Sequence, residues 1–386
     1  MQTAIPADTL ATDRGRRADA ILRTCVHCGM CNATCPTFAV RGDELDGPRG
    51  RIYLIKGMLE SGEANAVART HLDRCLTCRG CETTCPSGVR YGELAEIGRE
   101  ILEEQRPNRG WLQRLILSIV PNPGVLKPLV ALGALVRGLL PRRYRRLLRP
   151  APRVGPLPDK GRILLWQGCV QRVVTPELNA HLVRLLEARG MSPFVSARER
   201  CCGGLALHLG RRASAEAVMR HNVSELADAD MIVSTASGCG VTLKDYGRVL
   251  DAPDAGAFAD KVRDVAEVLA DFEFGKRAVG GRRVQRVAWH PPCTLQHGQR
   301  LTGLVERILA AAGYELTPVE DALLCCGSAG SYSLLQPELA GELKRRKARE
   351  LTRHEPEVIA TANIGCQTHL DDAVDVPVVH WLELLE

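Results

Sequence analysis

The stretch CVHCGMCNATCP occupies residues 25–36, and CLTCRGCETTCP repeats its spacing over residues 75–86. Both read Cys-x2-Cys-x2-Cys-x3-Cys-Pro, through Cys25, Cys28, Cys31, Cys35 and Pro36, then Cys75, Cys78, Cys81, Cys85 and Pro86. Three thiols at this spacing can wrap one corner of a metal centre within a single loop. The proline suits the first turn of a following helix, where no N–H is needed. Working outward, the 386 residues hold sixteen cysteines in all. The start, MQTAIPADTLATDRGRR, has no apolar h-region and no small-residue cleavage site, so a cytoplasmic chain is expected. Thiols stay reduced there, and a chain this long can bury a core without disulfides.

Four Cys plus Pro, twice over, is the run of two-cluster ferredoxins, in which the fourth Cys serves the other cluster. The crossed reading puts Cys25, Cys28, Cys31 and Cys85 on one [4Fe–4S] cluster. Cys75, Cys78, Cys81 and Cys35 hold the second. Zinc sites instead join two separated couples and do not repeat this run. His27 and Met30 read as loop fillers. Arg49 and Arg51, in GDELDGPRGR, form a solvated face or else lie beside a cluster and raise its potential.

The other eight cysteines form a second repeat. Cys169, Cys201, Cys202 and Cys239 make one set; Cys293, Cys325, Cys326 and Cys366 make the other. The first Cys precedes the pair by 32 positions in both, and Gly203 or Gly327 follows the pair. Strands RILLWQGC and VQRVAWHPPC lead into the first Cys. Helices follow from Pro176 to Arg189, with Thr175 as N-cap, and from about Gln299 to Ala312; Gly190 and Gly313 then stand at C′. MIVSTASGC and EVIATANIGC deliver the last Cys. Strands alternating with helices imply α/β units with mostly parallel strands, whose ligands gather at the strands' carboxyl ends. All the cysteine stations fall there. Each set could hold a cubane cluster or a zinc ion, the halves could share one site, or the thiols could do disulfide chemistry. His290, His297, His369 and His380 lie near the second set, as structural residues or as proton donors.

Between the two halves, residues 105–158 contain no acidic residue but eleven basic ones: Arg106, Arg109, Arg114, Lys127, Arg137, Arg142, Arg143, Arg145, Arg146, Arg149 and Arg153. The chain's formal charge of +6 is concentrated here, so the rest is net negative. WLQRLILSIV and PLVALGALVRGLL are apolar but too short to span a bilayer. Such a tract fits a membrane interface, a partner subunit, or a linker covering its own N-terminal half. Pro121, Pro123, Pro128 and Pro141 should break it into short helices. No nucleic-acid-binding motif accompanies it, and no dinucleotide fingerprint, P-loop or nucleophile elbow appears, so neither nucleic acid nor flavin is expected on this chain. The fold class is mixed: an α-helical two-cluster ferredoxin-like domain over 1–107, a basic helical connector over 108–160, and two α/β cysteine-rich repeats over 161–282 and 283–386. A chain with clusters and no substrate site conducts electrons for another subunit.

Two ferredoxin-type runs followed by two "CCG" repeats resemble the iron–sulfur subunits of respiratory oxidoreductases. The stretches ILRTCVHCGMCNATCPT, GDELDGPRGRIYLIK, HLDRCLTCRGCETTCPSGVRYGEL, TASGCG, CTLQH, LCCGSAGSYSL and TANIGCQTHL are most similar to glycolate oxidase iron–sulfur subunits. The resemblance implies two FAD-domain partner subunits that oxidise glycolate to glyoxylate. It also implies electron flow through two [4Fe–4S] clusters towards quinone, at the inner face of the cytoplasmic membrane. Related subunits serve lactate or glycerol-3-phosphate dehydrogenases, and heterodisulfide-reductase-like chains act on disulfides. In that last branch each repeat ends in Cys-x-x-Cys with a non-cubane cluster; here Thr242 and His369 stand at the final position. His369 could replace a thiolate there, because imidazole can ligate iron.

Overall fold

In both cysteine runs, alternate residues adopt left-handed backbone. His27 and Gly29 have φ of 60° and 84°, and Thr77 and Arg79 have 52° and 59°. Left-handed residues curl a loop tightly, which turns successive sulfurs towards one centre. For the three non-glycine residues this costs about 1 kcal/mol or more each, a strain the loop's surroundings must hold. The computed structural model describes residues 1–107, 110–139, 148, 152 and 154–386.

Helices Asp13–Thr24, Pro48–Ser61, Ala66–Asp73 and Tyr91–Gln105 surround the two loops. The Thr12 side chain caps the first by accepting from the Gly15 N–H, and Asn65 caps the third by accepting from Ala68. Their apolar faces meet in a core that includes Ile21, Leu22, Ile55, Leu72 and Leu94. Pro36 opens helix Pro36–Arg41 as expected, with Cys35 at the N-cap. Pro86 does not open a helix. It enters a turn, Gly88 follows with φ of 66°, and the next helix starts at Tyr91.

The C-terminal half holds two four-stranded sheets. In the first, β1 (Ile163–Trp166), β2 (Pro193–Phe194), β3 (Met231–Ser234) and β4 (Val262–Asp264) run parallel in the order β2-β1-β3-β4. In the second, β5 (Arg286–His290), β6 (Glu315–Thr317), β7 (Val358–Thr361) and β8 (Val378–His380) repeat that order as β6-β5-β7-β8. Successive residues alternate between faces. Leu165 and Val233 join a core shared with Val287, Trp289, Val358 and Ala360 of the second sheet. Leu164, Trp166 and Ile232 face the other way, towards Cys201 and Cys202. The two repeats are therefore one body with a common apolar core. His380 Nε2 donates to the Thr235 carbonyl at 2.9 Å, and His181 Nε2 reaches the Leu385 carbonyl at 3.0 Å, which ties the repeats across that core.

Helix Pro176–Glu187 starts where expected, but Thr175 makes no side-chain cap. The matching helix begins at Leu304, not near Gln299, because a π-turn at Thr294–Gly298 and left-handed Gly303 intervene. Gly190 and Gly313 have φ of 72° and 90°, as helix-ending glycines do.

In the connector, helices Trp111–Ile119 and Pro123–Leu135 meet at 104°, and among the described residues no single helix is long and apolar enough to cross a membrane. Pro128 lies inside the second helix without breaking it. With no N–H, Pro128 cannot make the helical bond to the Gly124 carbonyl. Pro141 and seven of the basic residues, Arg109, Arg142, Arg143, Arg145, Arg146, Arg149 and Arg153, lie outside the described residues.

Candidate metal centres

Cys25, Cys28, Cys31 and Cys85 line one cleft of about 420 Å³ that opens to solvent, together with Cys81, Arg49, Ile52 and Tyr91. Cys25 is buried and Cys28 exposed, so this cleft reaches from core to surface. Burial and the neighbouring thiols of Cys25, Cys85 and Cys28 push the Cys31 thiol up to about 11. Crowded thiols hold their protons until cations replace them, which is the donor chemistry of an iron–sulfur site.

The thiols of Cys75, Cys78, Cys81 and Cys35 form the second group. Burial, then neighbouring thiols including Cys35, raise Cys78 and Cys81 well above the usual range. Cys75 differs. Burial would raise it, but the guanidiniums of Arg51 and Arg99 hold it below its ordinary value. Its sulfur accepts from the Thr77 N–H at 3.4 Å and the Tyr91 hydroxyl at 3.5 Å. Arg51 Nη1 points at the Cys35 sulfur at 3.9 Å, and Thr37 Oγ1 lies 3.3 Å from that sulfur. Of the two arginines singled out in the sequence, Arg51 is buried at this group, while Arg49 pairs with Glu44 at 2.5 Å at the mouth of the first cleft.

In each sheet the strand order turns between the first and third strands, the crevice where ligands of parallel sheets bind. Cys169 follows β1 and Cys239 lies in the first turn of helix Ser237–Lys244 after β3. The pair Cys201–Cys202 follows β2, and hydrogen bonding links Cys169 to Cys201 and Cys202 to Cys239. Cys293, Cys325–Cys326 and Cys366 take the matching places in the second sheet, with Cys366 in the first turn of helix Ile364–Leu370. Cys293 and Cys325 sulfurs are 3.8 Å apart, and Cys326 pairs with Cys366. All four are buried.

The second ferredoxin-type group and the second repeat are neighbours. Cys78 packs on the buried cluster that contains Cys293 and Cys325, and its thiol feels the charge of Cys293. His297 spans the junction: Nδ1 lies 2.9 Å from Thr83 Oγ1 and Nε2 2.9 Å from the Leu323 carbonyl. Three sulfur groups thus follow one another from the solvent-facing cleft inward.

Comparison with known proteins accounts for both halves. The family description "4Fe-4S dicluster domain" matches residues 21–89, and "Cysteine-rich domain" matches residues 163–244 and 287–371. The glycolate oxidase iron-sulfur subunit of Escherichia coli is 44% identical, over all of this chain and 98% of that one. The chain belongs to the glycolate oxidase iron–sulfur subunit family. A probable glycolate oxidase iron-sulfur subunit of Bacillus subtilis is 29% identical over 96% of this chain and 94% of its own length. One chain of a fumarate reductase (CoM/CoB) from Methanothermobacter marburgensis is 27% identical over 95% of this chain and 72% of its own length. As a member of the glycolate oxidase iron–sulfur subunit family, the chain is an iron–sulfur electron-transfer protein of an oxidoreductase complex.

Two residues escaped sequence reasoning within this family frame. Tyr91 and Arg99 act on Cys75 from helix Tyr91–Gln105, a contact no spacing rule announces. The imidazole beside the second repeat's sulfurs is His290, not His369. A ring nitrogen of His290 and the sulfurs of Cys326 and Cys366 lie within 4.8 Å of one another. His369 Nε2 instead lies 3.3 Å from the Ala340 carbonyl, and burial lowers its proton affinity to about 4.

Proposed function

We propose that this chain is the electron-conducting subunit of a flavin-dependent complex that oxidises glycolate to glyoxylate. Two FAD-domain partner subunits perform the organic chemistry. Cys25, Cys28, Cys31 and Cys85 hold one [4Fe–4S] cluster, and Cys75, Cys78, Cys81 and Cys35 the other. Each cluster, when bound, takes and gives single electrons at a potential set by charges and hydrogen bonds around its sulfurs. The carrying observation is the succession of sulfur groups from the exposed thiol of Cys28 to the buried pair Cys78 and Cys293.

The residues around the two groups give the path a direction. Among the described residues the first group has one arginine lining its cleft, Arg49, half-exposed and already paired with Glu44. The second has Arg51, Arg99, Tyr91 and the Thr77 N–H, all of which favour added negative charge. Electrons entering at the cleft therefore run downhill towards Cys78 and the second repeat. From there they leave towards quinone, with the chain docked on the inner face of the cytoplasmic membrane. The connector supports that docking: Trp111, Leu132, Leu135 and Leu139 are exposed on short apolar helices beside basic residues. Burial of all four thiols of the second repeat argues against a disulfide substrate reaching them.

The test is glycolate-dependent reduction under anaerobic conditions. In the complex purified with its flavin subunits, glycolate should bleach the iron–sulfur absorbance, and Cys28→Ser should block bleaching while flavin reduction persists. Bleaching by glycolate in this chain alone, or none in the complex, would refute the assignment. About eight iron and eight sulfide per chain correspond to two cubanes, and about twelve or more to a further cluster in the repeats.

A further inference from the structure

The two cysteine-rich repeats share one architecture, and two of the positions at which they differ bear on what the second can bind. An offset of 124 residues carries Cys169 to Cys293 and Cys201–Cys202 to Cys325–Cys326. The same offset carries Trp166 to His290, the last residues of β1 and β5, and Val223 to Lys347, on helices Arg212–Leu226 and Pro337–Thr352. Where the first repeat has an indole and an isopropyl group at these two positions, the second has an imidazole and an ammonium.

Both are buried. His290 is 1% exposed, and neither ring nitrogen has a hydrogen-bond partner among the described residues. An imidazole so placed leaves a lone pair and an N–H unsatisfied, at a cost of about 1–3 kcal/mol per group, unless something binds them. Trp166 also has an unpaired ring nitrogen, but an indole N–H offers no lone pair. His290 does, and it lies with Cys326 and Cys366 at ligand spacing. Lys347 is 3% exposed and its Nζ donates to the Asp321 carbonyl at 2.5 Å. Burial disfavours its charge, and the neighbours that offset this are the thiols of Cys326, Cys325 and Cys366, together with Asp321. A buried ammonium needs negative charge nearby, and thiolates holding a metal centre supply it.

We propose that His290 is a fifth protein ligand of the second repeat's metal centre, binding one iron beside Cys326 and Cys366, with Lys347 as buried counter-charge. The inference rests on the reading that this repeat holds iron. Five donors exceed the four of a single tetrahedral ion, so the centre is polynuclear. The first repeat, with Trp166 and Val223 at these positions, offers four thiols and no matching imidazole.

The test uses the full chain, purified anaerobically and supplied with ferrous iron and sulfide, with ¹⁵N-labelled histidine as the only labelled residue. Stepwise reduction and pulsed EPR should reveal a directly bonded ¹⁵N coupling in a signal that Cys326→Ser abolishes. His290→Gln should lose that coupling and lower iron per chain towards the Cys326→Ser level, with the two N-terminal cluster signals unchanged. His290→Cys, which replaces one donor by another, should retain the iron and lose the coupling. Absence of the coupling, or its survival in His290→Gln, overturns the assignment. If Cys326→Ser removes iron and His290→Gln does not, only the His290 ligand fails. If Cys326→Ser leaves iron unchanged, the iron reading of this repeat fails and the ligand with it.

Discussion

The Arg51 guanidinium lies 3.9 Å from the Cys35 sulfur and is 1% exposed, so its charge acts on that sulfur with little screening by water. It is held in place by the His71 carbonyl at 2.7 Å, Thr37 Oγ1 at 3.0 Å and Asp46 at 3.5 Å. A fixed positive charge beside a cluster favours the reduced state. Arg51→Met should therefore lower one cluster potential by at least about 60 mV, the shift of a tenfold change for one electron. Arg51→Lys should recover part of it. Redox titration followed by EPR checks this: the cluster held by Cys25, Cys28 and Cys31 should not move. Equal shifts in both clusters would refute the local charge argument.

Ligand crossing has its own signature. Cys85 lines the cleft of Cys25, Cys28 and Cys31, although it closes the other run. Cys85→Ser should damage the cluster of the first run, and Cys35→Ser that of the second. Loss of the opposite signal in either variant would reverse the assignment.

Docking of the ferredoxin half on the first repeat depends on buried charges. Arg248 donates to Glu96 at 3.0 Å and to Asp245 at 3.0 Å, and Arg79 also pairs with Asp245. Glu96 is 3% exposed, so Arg248→Met strips a buried carboxylate of its nearest cation. Such losses cost about 3–5 kcal/mol. The urea midpoint should fall sharply, and Arg248→Met combined with Asp245→Asn should fall by less than the two single losses added. Strict additivity would show that these residues do not form one network.

Much of this was legible in the sequence because it is written in spacing. The cysteine runs, the repeat and the parallel α/β order all follow from intervals and apolar strand-length segments. What was not legible depends on burial. Strands β4 and β8 are three residues each, too short for a pattern to separate from loop. Lys347 sits in KRRKARE, which reads as a solvated face; helical phase instead places it one turn after buried Leu343. His290 is visible three residues before Cys293, but only its unpaired nitrogens distinguish it from His297 and His380, whose rings are hydrogen-bonded.

The histidines that join the two repeats predict acid sensitivity. Burial lowers the proton affinity of His380 to about 4 from 6.5, and burial with Arg277 nearby does the same for His181. Neutral rings are required in the fold, while the unfolded chain takes up protons below pH 6.5. Stability is therefore full above that value, falls as pH drops towards 4, and stays reduced below it. For the buried ring of His380 the loss at pH 5.5 is about 1.4 kcal/mol. His380→Gln keeps an amide donor for the Thr235 carbonyl and cannot titrate. Urea midpoints measured at pH 7.5 and 5.5, with clusters retained, should differ less in this variant than in the parent by about that amount. An identical pH dependence in both proteins would show that His380 is not held neutral at the seam between the repeats.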